Sequence, residues 1–232
     1  MTENKFQVTY ISDNIKKLGL ILPENVSVVA VSKTRSSEEV LLAYKAGQRV
    51  FGENRVQELI SKKKLLPEDI RWHLIGHLQS NKVKQIVSEV AVIESVDSIR
   101  LLSAISDEAL KNGLSVDCLL QVHISTEETK FGFLNFEIEK ENWTAVAESL
   151  PGIRICGLMG MASFTDDSER IRTEFRSLTA LFRSTRDRCF KDKPCFREIS
   201  MGMSGDWKIA VEEGSTIIRV GTLIFGERIK HI

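Results

Sequence analysis

The stretch Val26-Ser-Val-Val-Ala-Val-Ser-Lys33 predicts a buried β-strand that ends in a single lysine. Valine and alanine dominate it, and a near-continuous apolar run of this kind is typical of a strand covered on both faces. The polar residues after it lead into a helix predicted over residues 37–46, where Ser36 and Glu39 can form a capping box. A strand followed at once by a helix indicates a parallel sheet, whose strands are joined by helical crossovers.

The same alternation of strands and helices continues along the chain. Seven further strands are predicted at residues 49–53, 71–76, 90–96, 116–124, 153–161, 198–203 and 216–221. Further helices are predicted at residues 5–20, at 54–65, after Ser80, between Ser98 and Gly113, and at 137–150, 167–187 and 205–213. Eight such units predict an α/β fold, a single (β/α)8 TIM barrel with an extra amino-terminal helix.

An open, doubly wound sheet is the alternative fold. It is disfavoured because no Gly-x-Gly-x-x-Gly motif follows the first strand, and because such a sheet does not readily use eight units. No linker-like segment interrupts the alternation, so residues 1–232 are predicted to form a single domain.

The composition is that of an ordinary globular protein, with 42% hydrophobic and 28% charged residues. Lys plus Arg equals Asp plus Glu at 32 each, so no basic field favours a nucleic-acid partner. The first residues form no apolar signal segment, and no apolar run reaches the length of a membrane span. The four cysteines match no common zinc spacing. We expect a cytoplasmic protein with reduced thiols and without metal, membrane or nucleic-acid partners.

Lys33 is the first candidate functional residue. Its stem would stand in the apolar wall at the carboxyl end of a buried strand, where desolvation lowers the pKa of an ammonium. A lysine of lowered pKa can attack a carbonyl and form a Schiff base. The alternative is a lysine that only marks where the strand reaches solvent, and on Lys33 alone that alternative is favoured.

Small residues and hydroxyls follow the last two predicted strands. They occur in Ser200-Met-Gly-Met-Ser-Gly-Asp206, which contains Ser204, and in Arg219-Val-Gly-Thr222, which contains Gly221. Backbone N–H groups at small residues make an anion cradle, and the loops after strands 7 and 8 of a barrel commonly hold phosphate. The alternative is ordinary turn chemistry with helix capping by Ser204. Two such loops, together with Lys33, favour phosphate binding.

A lysine that can form an imine and that faces a phosphate cradle suggests pyridoxal 5′-phosphate (PLP) as cofactor. Arg219 should point into the same pocket, where it could donate a hydrogen bond to the pyridine nitrogen. Because arginine stays protonated, that nitrogen would stay unprotonated and the ring would be a weak electron sink. The alternative for Arg219 is an ion pair inside the barrel with Glu53 or Glu227.

Eight blocks of sequence, in order from about Val29 to Arg228, resemble the pyridoxal phosphate homeostasis proteins (the YggS/PROSC family). They are Val29-Ala-Val-Ser-Lys33-Thr, Phe51-Gly-Glu-Asn-Arg-Val-Gln-Glu58, Trp72-His-Leu-Ile-Gly-His-Leu-Gln-Ser-Asn-Lys82, Glu94-Ser-Val-Asp97, Lys130-Phe-Gly132, Gly157-Leu-Met-Gly-Met161, Ser200-Met-Gly-Met-Ser204-x-Asp206 and Gly214-Ser-Thr-x-x-Arg219-Val-Gly-Thr-x-Ile-Phe-Gly226. The resemblance implies a PLP-bound barrel similar to the amino-terminal domain of alanine racemase. It implies that Lys33 is the Schiff-base lysine, that Ser204, Gly221 and Thr222 hold the phosphate, that Arg219 meets the pyridine nitrogen, and that Asn54 and Met161 border the ring.

Two functions are compatible with such a site. A PLP-dependent amino-acid racemase needs acid/base groups on both faces of the imine. In alanine racemase the second base is a tyrosine supplied with a second domain and by dimerisation. Here the chain ends six residues after Gly226, and Tyr10 and Tyr44 are expected to lie away from the carboxyl-end rim. The sequence therefore favours a monomeric PLP-binding protein of intracellular PLP homeostasis. Such a protein would carry PLP and transfer it to PLP-dependent apoenzymes without strong turnover.

Other polar residues receive weaker interpretations. Lys82 and Lys130 are predicted at the same rim, where either could be a second amine that receives or releases PLP. The run Lys62-Lys-Lys64 is predicted to be a solvated helix face. His73 and His77 lie four residues apart across a strand and a turn, which argues against a metal-binding pair.

Overall fold

The strands of the protein close into a parallel barrel. The structure is a computed structural model that describes residues 2–127 and 131–227, and it describes side chains from residue 9 onward. The strands follow one another around the barrel in chain order, and the last pairs with the first. They are β1 (Ser27–Val31), β2 (Val50–Glu53), β3 (Arg71–Leu74), β4 (Val92–Val96), β5 (Val116–Val122), β6 (Ile153–Gly160), β7 (Glu198–Ser200) and β8 (Ile217–Val220). The predicted (β/α)8 barrel is confirmed.

Helices connect the strands and surround the barrel. They are α1 (Thr2–Ile21), α2 (Ser37–Lys45), α3 (Val56–Lys63), α4 (Val83–Ile86), α5 (Ile99–Lys111), α6 (Asn135–Lys140), α7 (Trp143–Ser149), α8 (Ser168–Cys189), α9 (Trp207–Glu212) and α10 (Thr222–Phe225). The helix α1 is the extra amino-terminal element, and α2 begins with the predicted capping box of Ser36 and Glu39. No helix in the described part of the chain is both long and apolar enough to span a bilayer.

The helix predicted over 137–150 is wrong as a single element, because two short helices, α6 and α7, occupy this region. Glu141 adopts an extended conformation between them. The side chain of Asn142 accepts a hydrogen bond from the Ala145 backbone N–H at 3.2 Å and so begins α7. Asparagine favours such a cap over the interior of a helix, which divides the segment here.

Two hydrophobic cores hold the barrel together. The larger lies between the strands and the surrounding helices, and the smaller fills the barrel interior. Val29 of β1 belongs to the interior core, whereas its neighbour Ala30 faces the helices, as the alternation of side chains along a strand requires. The apolar strands predicted from sequence are therefore covered on both faces.

A bulge in β6 changes this alternation near the carboxyl end of the strand. Cys118 of β5 pairs with Ile155, whereas the next residue, Leu119, pairs with Gly157. Gly157 has φ +155°, and a Cβ atom there would collide with the backbone carbonyl of Glu198 on β7, so only glycine fits. The bulge shifts the alternation by one residue, so that Met159 lies in the interior core as Cys156 does.

Candidate ligand-binding site

A cavity of about 320 Å³ opens at the carboxyl ends of the strands. Its wall contains all seven residues predicted from the sequence to form a site: Lys33, Asn54, Met161, Ser204, Arg219, Gly221 and Thr222. These residues follow or lie in strands that are far apart in the chain, and the barrel closure brings them together.

Lys33 lies two residues beyond β1 and is half-buried in the cavity wall. The turn after it contains Thr34 with φ +66°, a left-handed conformation that β-branched residues rarely adopt. The Thr34 N–H donates to Glu58 Oε1 at 2.6 Å, and the Arg35 N–H donates to Ser32 O at 2.9 Å. These hydrogen bonds hold the strained turn, which turns the chain sharply beside Lys33.

A buried cluster supports the ends of β1 and β2 behind Lys33. Lys62 is only 5% exposed, and its Nζ lies 2.7 Å from each of three acceptors: Ser32 O, Glu53 Oε1 and Glu58 Oε1. The prediction that Lys62-Lys-Lys64 is a solvated face is therefore wrong for Lys62. Its side chain lies on the face of α3 that packs against the barrel, together with the buried Val56 and Leu59 at spacings of three residues.

Glu53 ends β2 inside this cluster and is fully buried. Burial raises the pKa of its carboxyl, while the hydrogen bond and charge of Lys62 and the Ser32 hydroxyl at 2.7 Å oppose the rise. Its second oxygen, Oε2, has no hydrogen-bond partner among the described residues. Glu53 thus depends on Lys62 to compensate its charge. The pair stabilises the end of β2, directly before the cavity residue Asn54.

Two loops at the far side of the cavity present hydrogen-bond donors. Ser204 Oγ accepts a hydrogen bond from the Gly221 N–H at 3.2 Å and joins the loops after β7 and β8. The N–H groups of Gly205 and Thr222 donate to no atom within residues 2–127 and 131–227. Free N–H groups and two hydroxyls at one end of a cavity are the donor set that an anion such as phosphate requires.

Arg219 lies at the base of the cavity and is only 4% exposed. Its Nη1 donates to Ser200 Oγ at 2.6 Å and its Nη2 to the Gly160 carbonyl at 2.9 Å. Burial lowers the pKa of this guanidinium, and the charges of Glu94 and Asp206 oppose the shift. Arginine nevertheless stays charged near neutral pH, so it presents a fixed cation to the cavity.

The alternative ion pair of Arg219 with Glu53 or Glu227 is wrong. Its carboxylate neighbour is Glu94, at 3.8 Å, whereas Glu53 pairs with Lys62. A glutamate at the centre of the fully buried strand β4 was the sequence signal for this contact.

Glu94 connects Arg219 to the centre of the barrel. It is fully buried, and it accepts a hydrogen bond from Ser200 Oγ at 2.6 Å, while its other oxygen lies 2.6 Å from His73 Nδ1. Burial alone would raise the pKa of Glu94, but the hydrogen bond and charge of His73, the charge of Arg219 and the Ser200 hydroxyl hold it below its usual value. An ionised carboxylate at the barrel centre therefore holds Arg219 in place.

Six further residues of the cavity wall were not assigned to the site from the sequence, although the last two lie in the predicted phosphate-binding segment 200–206: Val31, Arg35, Ile75, Phe164, Met203 and Gly205. Val31 could have been found, because it precedes Lys33 by two residues and so shares its side of the strand. Arg35 is held by Glu39 Oε1 at 3.2 Å and by the Gly226 carbonyl. The side chain of Phe164 is 98% exposed at the mouth of the cavity, and no local pattern indicates this position.

Several rim residues lie outside the cavity wall. His77 pairs with Asp97 at 2.9 Å and stacks on Phe131. Lys82 belongs to a short 3-10 helix at Ser80–Lys82 and does not line the cavity, and Lys130 lies outside the described residues.

The two tyrosines also lie outside the cavity wall. Tyr10 packs against Gly226. Tyr10 therefore lies nearer to the carboxyl-end rim than the sequence suggested. The Tyr44 hydroxyl donates to Asp69 at 2.7 Å on the protein surface. His73 and His77 have separate carboxylate partners, and the described residues contain no cluster of three or more metal-ligating side chains.

Comparison with known proteins places this cavity in context. Residues 7–229 match the family described as "Alanine racemase, N-terminal domain". The chain is 39% identical to the pyridoxal phosphate homeostasis protein of Aquifex aeolicus (strain VF5), over 87% of this chain and 86% of the relative. It is also 39% identical to the pyridoxal phosphate homeostasis protein of Mus musculus, over 87% of this chain and 76% of the relative.

Solved structures show the same architecture. PipY of Synechococcus elongatus PCC7942, solved with PLP bound, is 36% identical, with a TM-score of 0.83 over 93% of this chain and 100% of PipY. An alanine racemase of Clostridium difficile 630 is 11% identical, with a TM-score of 0.72 over 96% of this chain and 58% of the racemase. At that identity the racemase shows only that the fold is shared.

Proposed function

The chain belongs to the family of pyridoxal phosphate homeostasis proteins, which share the fold of the alanine racemase amino-terminal domain, and on this premise we propose that it binds PLP in the cavity at the carboxyl ends of the strands. PLP supplies an aldehyde that condenses with a primary amine. In this proposal Lys33 provides the amine, and Ser204, Gly221 and Thr222 hold the phosphate.

The main support for the proposal is that Lys33, the free N–H groups and the buried guanidinium of Arg219 line a single cavity. Lys33 and Arg219 provide an amine and a fixed hydrogen-bond donor in the same wall. An arginine that donates to the pyridine nitrogen keeps that nitrogen unprotonated, because a guanidinium cannot accept a proton. Asn54 and Met161 complete the walls beside the ring.

We propose further that the protein carries PLP within the cell and hands it to PLP-dependent apoenzymes, rather than using it in rapid turnover. The described residues of the cavity wall include no carboxylate, histidine or tyrosine, so a second base opposite Lys33 is lacking there. Two-base racemisation requires such a group. We also propose that the protein is a monomer in the cytoplasm. The four free thiols of the described chain support the compartment, because disulfides are rare in a reducing environment.

The test is the absorption spectrum after incubation with PLP. The wild type should gain a band near the visible edge that sodium borohydride makes permanent as a covalent mass increase on Lys33. Lys33→Ala should lose both signals, while Lys64→Ala, at the exposed position directly after α3, should retain them. A wild type without the band, or a Lys33→Ala variant that keeps the borohydride-trapped mass, would refute the proposed site.

The carrier role has its own tests. PLP-loaded protein mixed with an apoenzyme should restore that enzyme's activity, and the restoration should be faster than release of PLP into buffer. Amino-acid racemisation at an enzyme-like rate would instead favour the racemase. Sedimentation of the loaded protein tests the monomeric state.

A further inference from the structure

A second cavity, of about 430 Å³, lies at the opposite end of the barrel. Its wall comes from the amino-terminal parts of the strands and from the segment before β7. The polar and charged side chains that matter here are Arg71, His73, Asp117, Arg154, Arg197 and Glu198. Of these side chains only His73 supports the site proposed above, through its contact with Glu94, and none lines the cavity of that site.

The charges around this cavity do not balance. Arg154 pairs with Asp117 at 2.6 Å, and Arg197 pairs with Glu198 at 3.1 Å. The exposed Arg71 has no ion-pair or hydrogen-bond partner for its side chain in the part of the chain that the structure describes. The cavity therefore carries one uncompensated guanidinium at its mouth, and guanidinium is the side chain best suited to bind phosphate or carboxylate.

His73 lies deeper in the same cavity and is only 5% exposed. Its Nδ1 lies 2.6 Å from the carboxylate of Glu94, so the Nδ1 proton is directed to Glu94. Its Nε2 has no partner among residues 2–127 and 131–227 and is the nitrogen left to face the cavity. Both ring nitrogens of a charged histidine are donors, so Nε2 can donate to an oxyanion in the cavity while Nδ1 meets Glu94.

We propose that this amino-terminal cavity is a second binding site, for a small molecule carrying a phosphate or carboxylate, and that its occupancy is sensed at Arg219. Arg71 holds the oxyanion at the mouth, and His73 meets it from inside the barrel. The second half of the proposal rests on the proposed function, because Arg219 is assigned there to the cofactor.

The connection between the two cavities is a chain of three hydrogen bonds. His73 contacts Glu94, Ser200 donates to Glu94, and Arg219 donates to Ser200, each at 2.6 Å. An oxyanion bound at Nε2 shares the ring with Glu94, so His73 satisfies less of the Glu94 charge. Glu94 consequently draws more on Ser200 and Arg219, and the guanidinium donates less strongly into the cofactor cavity.

Calorimetric titration of PLP-loaded protein tests the site, because PLP then occupies the other anion cradle. Inorganic phosphate and citrate are the probes, and either one giving saturable binding supports the site and identifies the preferred oxyanion. Arg71→Gln should weaken this binding at least about tenfold, in line with loss of a charge-assisted contact. Arg100→Gln, which changes an exposed arginine on α5 away from this cavity, should bind as the wild type does.

Saturable binding by neither probe, or equal binding by Arg71→Gln and wild type, overturns the site. The absorption band of the loaded protein tests the coupling. The band should shift as the oxyanion is added, with the same saturation curve as the heat of binding. Ser200→Ala should still give the heat of binding, but its absorption band should not shift. Heat without a shift in the wild type overturns the coupling alone. If PLP does not load at all, the proposed function fails, and the Arg71 dependence is then measured on the unloaded protein.

Discussion

Replacing Lys62 with methionine removes the cation that three oxygen atoms share behind Lys33. Methionine roughly preserves the apolar stem, so the main loss is the ammonium. Glu53 is fully buried and keeps only the Ser32 hydroxyl as a partner. Breaking a buried ion pair by removing one member typically costs about 3–5 kcal/mol of unfolding free energy, because the other charge is left uncompensated.

The cost should depend on pH. Burial raises the pKa of Glu53 even in the wild type, and loss of Lys62, which opposes that rise, raises it further. A carboxyl whose pKa is higher in the folded state contributes stability below its unfolded pKa and loses it as the pH rises through the folded pKa. Lys62→Met should therefore be less destabilising at an acidic pH, below the raised pKa of Glu53, than at an alkaline pH above it.

Urea denaturation at both pH values measures the effect as the change in unfolding free energy. Lys64→Met is the matched control, because Lys64 is exposed at the carboxyl-terminal cap of the same helix, and it should change stability by less than about 0.5 kcal/mol. The double variant Glu53→Gln with Lys62→Met should recover part of the loss. A loss of unfolding free energy in Lys62→Met that is no larger than in the Lys64 control, or that decreases as the pH rises, would refute this role of Lys62.

Three other substitutions test separate parts of the structure. Gly157→Ala should lower the unfolding temperature, because a strained backbone costs about 1–3 kcal/mol and the added Cβ atom also meets the Glu198 carbonyl. A melting curve equal to that of the wild type would contradict the bulge. For Glu94→Gln, the stability deficit relative to wild type should be largest near neutral pH. It should shrink on acidification through the lowered pKa of Glu94, because the wild type then loses the contribution of its carboxylate; urea titrations that show a constant deficit would count against the buried network. Ser36→Ala should cost about 0.5–2 kcal/mol in urea through loss of the cap on α2, while PLP loading stays intact.

Much of the fold could be predicted because its signals are local. The Val-rich run of β1 and the capping box of Ser36 and Glu39 are encoded in a few neighbouring residues. The repetition of such units indicates a barrel, and in a parallel barrel all strands end on the same face. The location of Lys33, Ser204 and Arg219 around one cavity follows from that geometry, and the resemblance to a known family assigned their roles.

Local signals were insufficient where a side chain's environment depends on distant residues. Nothing in Lys62-Lys-Lys64 distinguishes the lysine that packs against the barrel from its exposed neighbour Lys64, because that depends on how α3 lies over Glu53. The predicted helix over 137–150 failed because the cap formed by Asn142 outweighed the apolar periodicity.

The order of the strands, the residues at their ends and the cofactor chemistry that these residues suggest could all be read from the amino-acid sequence. Which charges meet inside the barrel could not, because that depends on how the sheet closes. Ser200 and Glu94 are 106 positions apart in the chain, yet their oxygen atoms lie 2.6 Å apart. Closure of the sheet places β4, β7 and β8 around one axis, so a buried charge takes its partner from across the barrel rather than from its own segment. The link from His73 to Arg219, and the second cavity at its end, exist only in that closed arrangement.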